Sequence, residues 1–252
     1  MEKLSVVIIC YNEEKNIGRC IDSVKKIADE ILILDSNSTD QTVAIAESKG
    51  AIVKQEPFKG FIEKKNKAVE LAANDFVLSL DADESLDPLL SDSIARVKEN
   101  FTSRAYRMNR CSNYCGKFIR HGSWYPDTKI RLFDRRIARW GGTNPHDKIV
   151  LQDNIPVVHL KGDILHYSYH TISEHVTQNN KLSTLAAESL FANGKKTSLL
   201  NILVRPGWAF FRSYIIRAGF LDGLFGLVIA KQISQMTFLK HIKLYLLHKS
   251  AK

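Results

Sequence analysis

Residues 76–84 read Phe-Val-Leu-Ser-Leu-Asp-Ala-Asp-Glu. The apolar run Phe76–Leu80 has the length and composition of a buried strand. It stops on the acidic turn Asp81-Ala82-Asp83-Glu84. Carboxylates at i and i+2 leaving a strand can point to the same side. Two carboxylates so placed suit a hard divalent cation, Mg2+ or Mn2+, whose other positions go to water and substrate phosphates. Such a cation neutralises a leaving diphosphate. The same residues also serve as a solvated turn that caps the helix opened by Pro88, so position must decide between the two.

Working back toward the N-terminus, strand and helix signals alternate. Leu4–Cys10 (LSVVIIC) is a β-rich run ending at Tyr11-Asn12-Glu13-Glu14, and Ile17, Ile21, Val24 and Ile27 then recur at helical spacing. Ile31–Leu34 is a second strand ending at Asp35, and Ser38-x-x-Gln41 reads as a capping box for a helix to about Lys49. Ala51–Lys54 is a third, shorter strand, and residues 62–73 form a helix with Ala68, Leu71 and Ala72 on one side. A β-α series of this kind gives an α/β fold, a mostly parallel sheet with helices on both faces. Its ligands sit at the carboxyl ends of the strands. Tyr11, Asp35 and Asp81 all follow strand ends and are therefore expected along one edge. Tyr11 can stack on a nucleobase, and Asp35 can accept hydrogen bonds from a base or ribose. Asn12 and Asp40 can equally act as helix caps. No Gly-x-Gly-x-x-Gly and no Gly-x4-Gly-Lys-Ser/Thr follows the first strand, which disfavours an ordinary dinucleotide site and excludes a P-loop.

The rest of the chain reads as short strands at 104–110, 116–120, 128–134 and 155–159, then a helix over 171–193. The 252 residues carry a net charge of +9. From Arg205 onward there are eight Lys or Arg against Asp222 alone, so +7 of that net charge sits in the tail. A nearly neutral body argues against nucleic acid as a partner. The four cysteines form no disulfide or zinc pattern and suit a reducing cytoplasm. Leu4–Cys10 lacks the layout of a secretory signal, and no stretch of 18 uncharged apolar residues is present.

Four motifs together carry a resemblance. Tyr11-Asn12-Glu13-Glu14, Asp35-Ser-Asn-Ser-Thr-Asp40, Gly60-x4-Lys65-Asn66-x-Ala68 and Leu80-Asp81-Ala82-Asp83-Glu84 resemble glycosyltransferase family 2, with its Rossmann-like GT-A fold. Trp124-Tyr125-Pro126-Asp127, Arg131-Leu132-Phe133, Pro145-His146-Asp147, His166-Tyr167-Ser168-Tyr169 and Gly219-Phe220-Leu221-Asp222-Gly223 are similar to the lipopolysaccharide-core β-glucosyltransferase subgroup. The resemblance implies an inverting transfer of a hexose, glucose by default, from a UDP-sugar to a lipid-linked saccharide acceptor. It implies that Tyr11, Glu13 and Asp35 bind the nucleoside, with Lys65 and Asn66 near the base or phosphates. Asp81 would contact ribose or metal, and Asp83 would ligate the metal directly. The catalytic base would be Asp147, where the subgroup has Glu, or Asp127. A late histidine, here His166, ligates the metal in some members. Trp124 and Arg131 are expected on the acceptor side, since a guanidinium can hold a phosphate or carboxylate bidentately.

Other readings stay open. A sugar nucleotidyltransferase would open with a Gly-rich, Arg-containing loop after the first strand. A haloacid-dehalogenase-type phosphatase would carry Asp-x-Asp on that strand. A catalytically silent, membrane-associated binding protein would keep the scaffold and lose the base. The expected division is a catalytic domain over 1–200 and a basic amphipathic helical tail over 201–252. From Pro206 to about Lys249 the tail mixes apolar anchors with cations, as a helix at an anionic membrane surface does. The expected location is cytoplasmic, peripheral on the inner face of the membrane. A helical pair packed on the rest of the chain is the competing reading.

Overall fold

Seven successive buried residues, Leu4–Cys10, make β1 an interior strand, because apolar side chains alternate to both faces and both faces are covered. Leu4, Val6, Ile8 and Cys10 pack with Ile17, Ile21 and Val24 of α1 (Ile17–Val24). Val7 and Ile9 pack on the opposite side with Ala68 and Val69 of α3 (Phe61–Leu71). The computed structural model describes residues 2–143 and 146–250. Pro145 of the Pro145-His146-Asp147 motif lies outside the described residues.

On either side of β1 run β2 (Glu30–Asp35) and β4 (Phe76–Asp81), both parallel to it, with β3 (Ile52–Gln55) beyond β2. The register pairs Cys10 with Asp35 and Ile9 with Asp81, which brings three strand ends to one edge. Helix α2 (Thr42–Ser48) begins three residues later than a Ser38 capping box requires, with Gln41 rather than Ser38 at the N-cap position. The Ser38 hydroxyl is spent on the Asp35 carboxylate and accepts from the Asn12 N–H at 2.8 Å. Asp40 instead accepts from the N–H of Thr42. The loops after β1 and β2 are thereby latched to each other, since Thr39 N–H also donates to Asn12.

The rest of the sheet is antiparallel. It uses β5 (Glu84–Leu86), β6 (Ala105–Tyr114), β7 (Lys117–Phe118), β8 (Asp127–Asp134) and β11 (Val157–Tyr169). Among the described residues the order is β3-β2-β1-β4-β8-β6-β11-β5, with β7 on β6. A separate ribbon pairs β9 (Ala138–Thr143) with β10 (His146–Leu151). Helix α4 (Pro88–Glu99) is capped by Asp87, whose carboxylate also takes the Asp163 N–H.

The chain divides into two compact units. One takes the chain up to Arg110 together with Asp127–His166, and the other takes Cys111–Pro126 with the chain from Tyr167 onward. The second unit contains α5 (Ile172–Ala192), opened by a Thr171/Glu174 capping box. It also contains α6 (Leu199–Phe211), a wider turn over Arg212–Ile216 and α7 (Leu224–Ser250). Motifs late in the sequence knit this unit. The buried Asp222 carboxylate accepts the His121 N–H at 2.8 Å, and a Cβ on Gly226 would stand 1.8 Å from the Gly219 carbonyl oxygen. Among the described residues no helix is long and apolar enough to cross a membrane.

His175 lies at the centre of the second unit, 2% exposed, with its Nδ1 3.1 Å from the Tyr114 hydroxyl and its Nε2 3.2 Å from Asn179. Burial pushes its pKa down to about 4 from an ordinary 6.5. A neutral folded histidine whose unfolded form titrates higher contributes stability above pH 6.5, which is lost as pH falls toward 4. The full loss is about 3 kcal/mol. Urea melts of the wild type and His175→Gln are expected to differ in their pH dependence across that window. Identical slopes would refute the assignment.

Candidate active site

The shared strand edge opens onto a cavity of about 690 Å3, within the size range of small-molecule sites. Its lining comes from the first unit alone, and it divides by chemistry. Tyr11, Phe58 and Phe61 form an aromatic rim; Tyr11 is 57% exposed, and Phe58 and Phe61 meet edge-on at 5.1 Å. Ser36, Lys64 and Lys65 give a polar, cationic side, while Asp81, Asp83, Asp147 and His166 give an acidic side with one imidazole. Glu13 also lines the cavity, and its carboxylate accepts from the Asn16 amide at 2.7 Å.

Two adjacent lysines of α3 turn inward. Lys65 Nζ lies 2.8 Å from Asp147 Oδ2 and 3.1 Å from Asp81 Oδ1, so a single ammonium bridges the two carboxylates. The Trp140 ring lies 4.4 Å from the same ammonium. Lys64 Nζ donates to the Cys10 carbonyl at 2.6 Å and to the Ser36 hydroxyl, and burial lowers its pKa. It thus ties the ends of β1 and β2 together from below.

Behind Asp81 stands a buried charge network. Arg131 reaches Glu84 Oε1 at 2.8 Å and Asp81 Oδ2 at 3.2 Å, and Glu84 accepts the Asp81 N–H at 3.0 Å. Burial alone would raise the Asp81 pKa, but Arg131 and Lys65 outweigh it and hold the carboxyl well below the usual range. Asp83 faces His166, with Nε2 and Oδ2 3.2 Å apart. The β5–β11 register explains this pair: His166 sits opposite Glu84, one residue beyond Asp83.

Several side chains expected at ligands stand elsewhere. Asp35 is fully buried and does not line the cavity; it accepts from Ser38, Gln55 and the Cys10 thiol. Asn66 grips the Trp140 backbone, taking its N–H and donating to its carbonyl, both at 2.9 Å. Arg131, expected at the acceptor, is instead buried and committed to Glu84 and Asp81. Asp127 lies outside the lining, its carboxylate held by Arg110 at 2.8 Å and Lys129 at 2.9 Å. Trp124 belongs to the second unit, in an aromatic cluster with Tyr114, Tyr169 and His175. Tyr11, Glu13, Lys65, Asp81, Asp83 and Asp147 do come together. Lys64, Ser36, Phe58 and Phe61 join them without having been singled out, and two consecutive lysines give no sign in the sequence of being buried.

The profile of glycosyl transferase family 2 matches residues 5–152, and the chain belongs to that family. An uncharacterised glycosyltransferase of Rickettsia felis is 34% identical over 97% of this chain and 90% of its own length. The lipopolysaccharide core biosynthesis glycosyltransferase LpsC of Rhizobium meliloti is 29% identical, over 97% of this chain and 93% of its own. Among solved structures, the mannosyltransferase PcManGT of Pyrobaculum calidifontis, in complex with GDP-Man and Mn2+, superposes with a TM-score of 0.55. It covers 98% of this chain and 88% of its own at 13% identity, a likeness of fold. The architecture is thus the GT-A α/β fold, with a helical C-terminal segment.

Proposed function

We propose that the protein is an inverting, metal-dependent hexosyltransferase. It moves a hexose, glucose first among candidates, from a UDP-sugar to a lipid-linked saccharide of lipopolysaccharide or a related envelope glycan. The observation that carries this reading is the cavity at the ends of β1 and β4, where an aromatic rim, two lysines and three aspartates face one space. The name of LpsC supports the acceptor class.

Asp83 and His166, with Asp81 beside them, offer oxygen and nitrogen donors that fit Mn2+ or Mg2+. Among the described residues no cluster of three or more His, Cys, Asp or Glu forms a self-sufficient metal site. A divalent cation held there would share its coordination with the donor diphosphate and would supply Lewis-acid neutralisation of the developing charge. Tyr11 stacks on the base at the rim. Asp35 supports that subsite from behind, by fixing Ser38 and the loop that carries Ser36. Lys65 and Lys64 supply positive charge to the diphosphate.

In the transfer, the acceptor hydroxyl attacks the anomeric carbon opposite the diphosphate. The new C–O bond forms as the old one breaks, and the hydroxyl proton passes to a carboxylate. Asp147 takes that role, because it lines the cavity and Asp127 does not. The donor diphosphate competes for Lys65 and so releases Asp147 from its ion pair. We assign this chemistry to the catalytic domain over 1–200, and attachment to the inner membrane surface to the segment over 201–252.

Ligand bound to the native state raises its melting temperature. UDP-glucose at about a hundred times its Kd, with Mn2+ present, is expected to shift the melt by about 5 °C. Shifts with no nucleotide sugar, with or without metal, would sink the donor assignment.

A further inference from the structure

Helix α6 is amphipathic with its apolar side outward. Toward its own unit it turns Ile202 and Pro206, both buried. On the opposite side, at spacings of three and four residues, stand Leu200, Leu203, Val204, Trp208 and Phe211, and Ile215 follows in the wider turn. All six are exposed, Leu203 at 75% and Trp208 at 56%. Soluble proteins rarely leave a contiguous face of large apolar side chains to water, and such a face marks an interaction surface.

The charges around that face identify its occupant. Between Leu199 and Leu221 there is no Asp or Glu, while Arg205, Arg212 and Arg217 are all exposed. Arg205 and Arg212 each follow an outward apolar residue by one position, which sets both on one flank of the apolar stripe. Apolar residues with an exposed tryptophan, bordered by arginines without acids, match the two layers of an anionic bilayer surface. Neither α6 nor α7 meets the requirements for crossing. Helix α7 packs within its unit against α5 and α6, so the contact belongs to α6 and its following turn rather than to the whole tail.

We infer that α6 lies in the headgroup layer of an anionic membrane, burying the Leu200–Ile215 stripe among acyl chains and pairing Arg205 and Arg212 with lipid phosphates. The inference deepens the surface attachment proposed above and rests on that reading only for what the surface is used for. A second copy of the chain, the other occupant of an apolar face, would gain nothing from three uncompensated arginines.

The test uses the full chain and vesicles of phosphatidylcholine, with and without phosphatidylglycerol. The wild type is expected to co-sediment with the anionic vesicles, to release as salt rises, and to show a blue shift in fluorescence that Trp208→Phe removes. The double variant Leu203→Glu/Trp208→Glu changes exposed positions and is expected to fold. It should lower the bound fraction at least about tenfold. Arg205→Glu/Arg212→Glu should abolish the preference for phosphatidylglycerol. Wild-type protein left in the supernatant, or Leu203→Glu/Trp208→Glu binding like wild type, would overturn the inference. So would a lipid-free dimer that this double variant converts to monomer. The UDP-glucose melt shift on the same samples reads the donor site separately: its loss with vesicle binding intact would sink the transferase reading and leave the bilayer contact standing.

Discussion

Asp83→Ala is expected to lower hexose transfer by about a thousandfold, the scale of a Lewis acid that stabilises leaving-group charge by several kcal/mol. Asp83 sits at the turn between β4 and β5, 3.2 Å from His166, on the acidic side of the cavity. Unlike Asp81, it is not enclosed by both Lys65 and Arg131. Its removal should take away the Mn2+-dependent part of the donor melt shift while leaving the stability of the unliganded protein nearly unchanged. Asp147→Asn provides the contrast. It is expected to preserve the Mn2+-dependent shift and lower kcat about a hundredfold or more, because a base acts on the acceptor proton and not on the donor. The pattern matters more than either number. If Asp83→Ala retained full transfer, the metal assignment would fall. If Asp147→Asn retained full transfer, the base would have to be sought elsewhere in the cavity, with the metal assignment intact.

The parallel half of the sheet was readable because its strands are short apolar runs that each end on a polar turn. The spacing predicts strands at 4–10 and 76–80, and the structure places them at Leu4–Cys10 and Phe76–Asp81. The antiparallel half hides its strands. The spacing predicts 155–159, whereas β11 runs Val157–Tyr169, because His159, Lys161, Asp163 and His166 interrupt the apolar pattern of a strand paired on both sides. The β9–β10 ribbon carries no strand signal in the sequence, since Gly141 and Gly142 break its alternation; the space over Gly141 is taken by Val150, 2.9 Å from where a Cβ would stand. Candidate site residues divide by whether their placement follows from strand-end position or from long-range partners. Tyr11, Asp81 and Asp83 follow from position. Asn66 and Arg131 were visible as polar residues, but their partners, Trp140 at 74 residues' remove and Glu84 at 47, are set by tertiary packing. His166 is the instructive intermediate. A lone late histidine says little until antiparallel pairing sets it opposite Glu84 and beside Asp83.

Arg131→Met is expected to destabilise the protein by about 3–5 kcal/mol, the cost of removing one partner from a buried ion pair. Met is long and apolar, so the loss should come from charge more than from a cavity. The Glu84 carboxylate is fully buried; without Arg131 it keeps the Asp81 N–H and Arg110, the latter at 3.5 Å. Asp81 keeps Lys65, which is shared with Asp147. If uncompensated charge is the cause, adding Glu84→Gln to Arg131→Met should recover part of the loss, because the amide retains an acceptor for Asp81 N–H and carries no charge into the core. If packing is the cause, the second substitution should deepen it. Urea midpoints at pH 7 separate the two, provided the slopes of the transitions agree. The single variant losing less than about 1 kcal/mol would mean that the network is worth no more than a surface pair. Asp81 would then owe its position to the strand alone, and Arg131 would regain a claim to a role in binding the acceptor. A large loss with recovery in the double variant makes Arg131 the residue that holds the acidic turn in place. The Asp81-Ala82-Asp83 turn would then be aimed into the cavity by a buried guanidinium beneath it as well as by the end of β4.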